Sequence, residues 1–72
     1  MTIIQKFFLN GQSYYYYVYE TITLLDLIHY FNFNHSLLVL EYNSFICDKK
    51  NWDQIVLKDQ DKIEIVTIVG GG

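Results

Sequence analysis

The sequence predicts an α+β domain, and three observations carry that prediction. Two apolar, β-favouring runs flank Asn10-Gly11. A capping signature at Thr23-Leu24-Leu25-Asp26 opens a helical stripe. A β-branched run, Ile63 to Val69, leads into Gly70-Gly71-Gly72. A chain of 72 residues makes one domain, and at this size only about 60% of the unfolded chain's surface is buried on folding. The expected division is a folded domain over residues 1–69 and a glycine tail over 70–72.

Ile3–Leu9 and Gln12–Val18 read as the strands of a hairpin, because a type I′ turn needs positive φ at both central residues and Asn-Gly supplies it. A two-residue loop fixes the register. Leu9 then opposes Gln12, Phe7 opposes Tyr14, Gln5 opposes Tyr16 and Ile3 opposes Val18, all on one face. Ile4, Lys6 and Phe8 share the other face with Ser13, Tyr15 and Tyr17. The first set carries fewer charges and is taken as the core face. The run Tyr14–Tyr17 has the aromatic content of a base-stacking platform but no basic groove beside it, so it is read as half-buried strand tyrosines.

Thr23 and Asp26 have the spacing of a capping box, with Asp where Glu or Gln is usual. Leu24, Leu27, Ile28 and Phe31 recur at helical spacing and form one apolar stripe, with Asp26 and His29 outward. Leu37–Glu41 reads as an apolar strand covered on both sides, Tyr42-Asn43-Ser44 as a turn and Phe45–Cys47 as a short return strand. Asp48 is placed to cap a helical turn that carries Trp52, whose ring would plug the lower edge of the core. Lys58-Asp59-Gln60-Asp61 is the polar turn that delivers the last strand.

Composition removes several function classes. Hydrophobic residues make up 51% and charged residues 18%, and no apolar run approaches the length of a membrane span. The opening residues lack the pattern of a secretory leader. Net charge is −3 with five scattered lysines, which leaves no phosphate-neutralising stripe for nucleic acid. His29 and His35 have no Cys or carboxylate partner at metal-ligand spacing, so no metal site is expected. The single cysteine, Cys47, has no internal disulfide partner, which fits a reducing compartment, and with Asp48 beside it the thiol is read as a small core residue rather than a redox group. The absence of Ala, Pro and Arg with abundant Ile, Asn, Tyr, Phe and Lys points to an AT-rich genome, such as that of an organelle or an AT-rich bacterium.

The chemistry is expected at the tail. Three glycines present no side chain, reach on the order of 10 Å when extended, and fit a cleft that a Cβ would block. A carboxylate is a poor electrophile, so acyl chemistry at Gly72 requires activation, for example by transfer to a nucleotide phosphate.

Hairpin, helix, two short strands, a helical turn and a final strand ending in glycines is the element order of the ubiquitin-like β-grasp. The chain resembles the ThiS family of thiamine-biosynthesis sulfur carriers over essentially its whole length. The resemblance rests on Asn10-Gly11, on Thr23-Leu24-Leu25-Asp26-Leu27, on the Trp52 segment, and above all on Asp59-Gln60-Asp61-Lys62-Ile63-Glu64-Ile65-Val66 running to Val69-Gly70-Gly71-Gly72. It implies a mixed four- to five-stranded sheet packed on one main helix, with the first strand parallel to the last, Ile63 and Ile65 facing the helix, and Val66 and Ile68 outward. Phe8, Tyr15, Tyr17, Val66 and Ile68 would then form an apolar patch on the open face. It further implies a carrier that is not itself an enzyme and binds no cofactor. Gly72 is adenylated with ATP by an E1-like adenylyltransferase of the ThiF type, converted to a thiocarboxylate by a sulfur donor, and used by a thiazole synthase of the ThiG type. Gly70, Gly71, Val66, Ile68 and Phe8 would bind those partners, in a plastid stroma or bacterial cytoplasm. The alternatives are the small subunit that feeds sulfur to molybdopterin and a β-grasp interaction module that uses only its surface. The sequence departs from the family at Gln60, where glycine usually stands between the aspartates, so positive φ there would cost about 1 kcal/mol.

Overall fold

The computed structural model describes residues 3–33 and 37–67. Strands β1 (Ile4–Leu9) and β2 (Gln12–Tyr17) form an antiparallel hairpin in the register set by the two-residue turn, with Leu9 opposite Gln12, Phe7 opposite Tyr14 and Gln5 opposite Tyr16. Asn10 and Gly11 take φ of 49° and 84°, the positive pair that a type I′ turn demands. The other edge of β1 pairs in parallel with β5 (Asp61–Thr67), and β5 pairs antiparallel with β3 (Leu38–Tyr42), which continues into β4 (Phe45–Cys47). The result is one mixed five-stranded sheet in the order β2-β1-β5-β3-β4, the β-grasp arrangement with its first and last strands side by side.

Helix α1 (Leu24–Tyr30) lies across one face. Its start is a complete capping box, in which Thr23 Oγ1 accepts from Asp26 N at 3.1 Å and Asp26 Oδ2 accepts from Thr23 N at 2.9 Å. Its end is a Schellman motif. Asn32 sits at φ 59°, its N–H donates to His29 O at 3.1 Å, and Phe33 N donates to Ile28 O at 3.1 Å. A helix of seven residues is held by packing rather than propensity. Leu24, Leu27 and Ile28 are buried against Phe7, Leu9, Tyr16, Leu40, Ile63 and Ile65 of the sheet. Trp52 is buried in the core as the sequence indicated, Leu57 is buried with it, and Trp52 Nε1 donates to Cys47 O at 3.1 Å. The same segment satisfies the first turn of α1, where Leu24 N and Leu25 N donate to Ile55 O and Trp52 O at 3.1 and 3.0 Å.

Three local expectations are corrected. Tyr42 belongs to β3, so the β3–β4 turn is only Asn43-Ser44, with φ of 50° and 77°. β3 is not covered on both sides. It lies second from the sheet edge, Leu40 alone is fully buried, and Val39 and Glu41 alternate toward the open face. Asp48 provides no side-chain cap to the 3₁₀ turn Lys49–Asn51, where its carbonyl accepts from Asn51 N instead.

Candidate functional site

β5 is the strand that precedes the glycine tail in the sequence, and its anchoring and the open sheet face beside it are the described features on which a site can be built. β1 stops short of that end, since its last partner on β5 is Ile63, opposite Leu9. Asn10 prolongs the ladder with its side chain. Its N–H donates to Ile63 O at 2.9 Å, its Oδ1 accepts from Ile65 N at 2.7 Å, and its Nδ2 donates to Ile65 O at 3.3 Å. One asparagine therefore makes the hairpin turn and also fixes β5 beyond the last residue of β1. On the other side β3 holds β5 to its end, with Val39 opposite Val66 and Leu38 opposite Thr67.

A second knot fixes the start of β5. Asp61, buried at 6% exposure, accepts from Lys58 N at 2.7 Å, Tyr42 OH at 2.7 Å and Asn43 Nδ2 at 3.1 Å. Burial, and then the bond to the Asp61 carboxylate, pushes the Tyr42 phenol well above its ordinary range. In the preceding turn Gln60 takes φ 69° and donates its N–H to Lys6 O, while Asp59 Oδ1 accepts from Lys6 N at 2.9 Å. Both ends of β5 are thus tied to β1 by polar groups that the strand ladder does not supply.

Alternation along β5 turns Ile63 and Ile65 to the core and Lys62, Glu64 and Val66 to the open face. Val66 is 58% exposed. Phe8 shares this face, half-buried, with Lys6 Nζ 5.2 Å from its ring centroid. The described members of the expected patch share a face, on which Tyr15 and Tyr17 are successive residues of β2 and Val66 stands apart from Phe8. Phe8 sits beside Lys62, four residues before Val66 and so about 13 Å from it along the strand. Lys6 separates Phe8 from Tyr17 along the hairpin, and Tyr15 lies opposite Lys6. Glu64 separates Lys62 from Val66, and directly across on β3 stands Glu41. Like charges in opposed positions are unfavourable, and among the described residues neither carboxylate has an ion-pair partner. Ile68, Gly70, Gly71 and Gly72, like His35, lie outside the described residues.

Other candidate chemistry is weak. Burial and the neighbouring Asp48 raise the Cys47 thiol above its ordinary value, opposite to what a nucleophilic or redox thiol needs. Among the described residues no group of His, Cys, Asp and Glu is arranged to hold a metal ion, and no helix is long and apolar enough to cross a membrane. Sequence reasoning missed the second role of Asn10, for which an asparagine rather than an aspartate before Gly11 was the available signal, because only the amide both donates and accepts.

The sequence matches the ThiS family over residues 9–72, from the end of β1 through the last glycine. The chain belongs to the ThiS family. Among curated relatives, the uncharacterized protein ycf40 of Trieres chinensis is 67% identical over 68 residues, covering 94% of this chain and 90% of the relative. The sulfur carrier protein ThiS of Bacillus subtilis strain 168 is 36% identical over 53 residues, covering 74% of this chain and 80% of its own. The crystal structure of the thiamine biosynthesis protein ThiS from Geobacter metallireducens superposes with a TM-score of 0.79 at 20% identity, covering 94% of this chain and 100% of that one. At that identity the likeness concerns the fold, and it places the five-stranded sheet and single helix among ThiS β-grasp domains.

Proposed function

We propose that this ThiS-family protein is a sulfur carrier whose reactive group is the carboxyl of Gly72. The observation that carries the reading is the family match extending through Gly70-Gly71-Gly72. The carboxylate attacks the α-phosphate of ATP on an E1-like adenylyltransferase of the ThiF type, pyrophosphate leaves, and an acyl-adenylate forms. Sulfide-level sulfur released by a sulfur donor then attacks the carbonyl as hydrosulfide and expels AMP, leaving a thiocarboxylate whose sulfur passes to a thiazole synthase of the ThiG type. The carrier needs no catalytic side chain, cofactor or metal. It supplies the reacting atom on glycines that enter a narrow channel, and a rigid domain that docks. Docking uses the open face, with Phe8, Val66 and Ile68 as apolar contacts and the Glu41–Glu64 pair favouring a basic partner surface. The ycf40 name of the Trieres chinensis relative supports a plastid origin, and the stroma is the location proposed with it.

The test is intact mass after incubation with the E1-like partner, ATP and a sulfur donor. The protein gains the mass difference between sulfur and oxygen at its C-terminus, and deletion of Gly71 and Gly72 abolishes the gain. Sulfur found on Cys47 as a persulfide, with the terminus still a carboxylate, refutes the reading. Turnover of the loaded carrier by thiazole synthase, rather than by a molybdopterin-forming enzyme, assigns the pathway.

A further inference from the structure

The outer edge of β2 is open, and its free hydrogen-bonding groups form a short set bounded at both ends. The two-residue turn makes Leu9–Gln12 a bonded pair, and alternation makes Phe7–Tyr14 and Gln5–Tyr16 the next ones. Val18 N donating to Ile3 O at 2.8 Å continues the series. Ser13, Tyr15 and Tyr17 therefore turn their N–H and C=O groups away from β1. Tyr17 is closed off by Glu20, whose Oε2 accepts from Tyr17 N at 3.2 Å and whose N–H donates to Tyr17 O at 3.0 Å. Among the described residues the outward backbone groups of Ser13 and Tyr15 have no partner.

Edge strands are normally guarded by shortness, charge, proline or a bulge. β4, at the other edge, is three residues long and is followed by Asp48-Lys49-Lys50. β2 is Gln12-Ser13-Tyr14-Tyr15-Tyr16-Tyr17, six residues with no charge, proline or glycine. The free set is bounded by the Asn10-Gly11 turn on one side and by Glu20 on the other.

We infer that β2 pairs antiparallel with β2 of a second copy of this chain, about a two-fold axis through Tyr14. A half-turn about Tyr14 brings Tyr15 opposite Ser13 and Ser13 opposite Tyr15. Every free N–H of the two residues then meets a free C=O, and the pairing ends where Glu20 and the turn already close the strand. A longer foreign strand would leave its additional residues unpaired, whereas the window of a second copy matches this one residue for residue. β2 itself carries none of the net charge of −3, so no like charges stand directly opposite each other in the paired strands. The two Tyr14 rings meet as a cross-strand aromatic pair; each is already stacked on Phe7 at 5.4 Å and met edge-on by Phe31 at 5.1 Å. A groove of 620 Å³ between β2 and α1, walled by Tyr14, Tyr16, Leu27, Tyr30 and Phe31, runs along the same edge, so the pairing encloses apolar surface as well as backbone. β5 lies two strands away, which leaves the open face around Val66 uncovered in both copies.

The test is sedimentation equilibrium of the full chain from micromolar to millimolar concentration, together with amide exchange by NMR. The apparent mass rises from 8.6 kDa toward twice that value. Exchange at Ser13 and Tyr15 slows with concentration, while Tyr17, already bonded to Glu20, does not change. Ser13→Pro removes an N–H that the β1 ladder does not use, a position where an edge strand tolerates proline, and holds the chain at 8.6 kDa throughout. Tyr15→Lys, at a site 69% exposed, does the same without touching the backbone. A chain that stays monomeric with concentration-independent exchange overturns the inference. So does association that persists in both variants, which would assign it to another surface. Neither measurement involves sulfur transfer, so the outcome is independent of the carrier reading.

Discussion

Gln60 holds φ 69° in a turn whose third position favours glycine, with Asp61 N donating back to Lys58 O at 3.2 Å. A non-glycine residue in that region costs about 1–2 kcal/mol, part of which glycine returns through the entropy of the unfolded chain. Gln60→Gly is therefore expected to stabilise the fold by about 0.5–1 kcal/mol, read as a higher denaturant midpoint at unchanged slope; a lower midpoint would show that the Gln60 side chain contributes more than its strain costs. The strained position was legible only through the resemblance to the ThiS family, in which glycine usually stands between Asp59 and Asp61. The Asp61 knot was not, because its donors come from Lys58, Tyr42 and Asn43, and no local pattern joins them. Tyr42→Phe removes a bond to that buried carboxylate and should cost about 1.5–3 kcal/mol. The sign with pH follows from the direction of the shift. The Tyr42 phenol lies above its ordinary 10.0 in the folded state, so its stabilisation is complete below pH 10.0 and is lost as the phenol ionises above it. The stability gap between wild type and Tyr42→Phe should narrow as pH is raised beyond 10.0. A gap that stays constant in urea titrations would detach Tyr42 from the alkaline transition.

The hairpin and helix were readable because each is specified locally. Asn10-Gly11 sets the register, the register sets the faces, and the faces place Phe7, Leu9 and Tyr16 in the core as alternation required. α1 was readable from Thr23, Asp26 and the Leu24–Leu27–Ile28–Phe31 stripe. The Asn43-Ser44 turn was less so, since serine at φ 77° is a weak signal beside glycine, and the strand alternation of Tyr42 looks like the start of the turn. The clamp from the hairpin onto β5 was hidden by distance in sequence, 55 residues separating Asn10 from Ile65. Two substitutions separate its parts. Asn10→Ala loses both the ease of positive φ and the amide bonds, and should cost about 2–3 kcal/mol. Asn10→Gly keeps the turn and loses only the amide. Amide exchange at Ile65 should accelerate in both variants, whereas the register of β1 on β2 should survive in Asn10→Gly. Unchanged protection of Ile65 in Asn10→Gly would mean that β3 alone holds the end of β5.

The sheet has two unlike faces, one packed on α1 and one open, and this division was legible from the family's element order. What the sequence did not reveal is the parallel offset that sets Phe8 beside Lys62 and leaves Val66 beyond the hairpin, so Phe8 and Val66 are parted by charge. That offset also isolates Glu41 opposite Glu64, an arrangement that costs the free domain stability and is relieved by a basic surface. The two effects give opposite signs for one substitution. Glu64→Lys converts the opposed pair into Lys–Glu and should raise stability by about 0.2–1 kcal/mol. The same change should weaken docking to the E1-like partner, mainly by slowing association, and the loss should be larger at low ionic strength, where exposed charges are less screened. Denaturation measures the first quantity and a salt series of binding kinetics the second. Affinity that is unchanged, or that rises with stability, would remove the acidic pair from the docking surface and leave recognition to Phe8, Val66 and the tail.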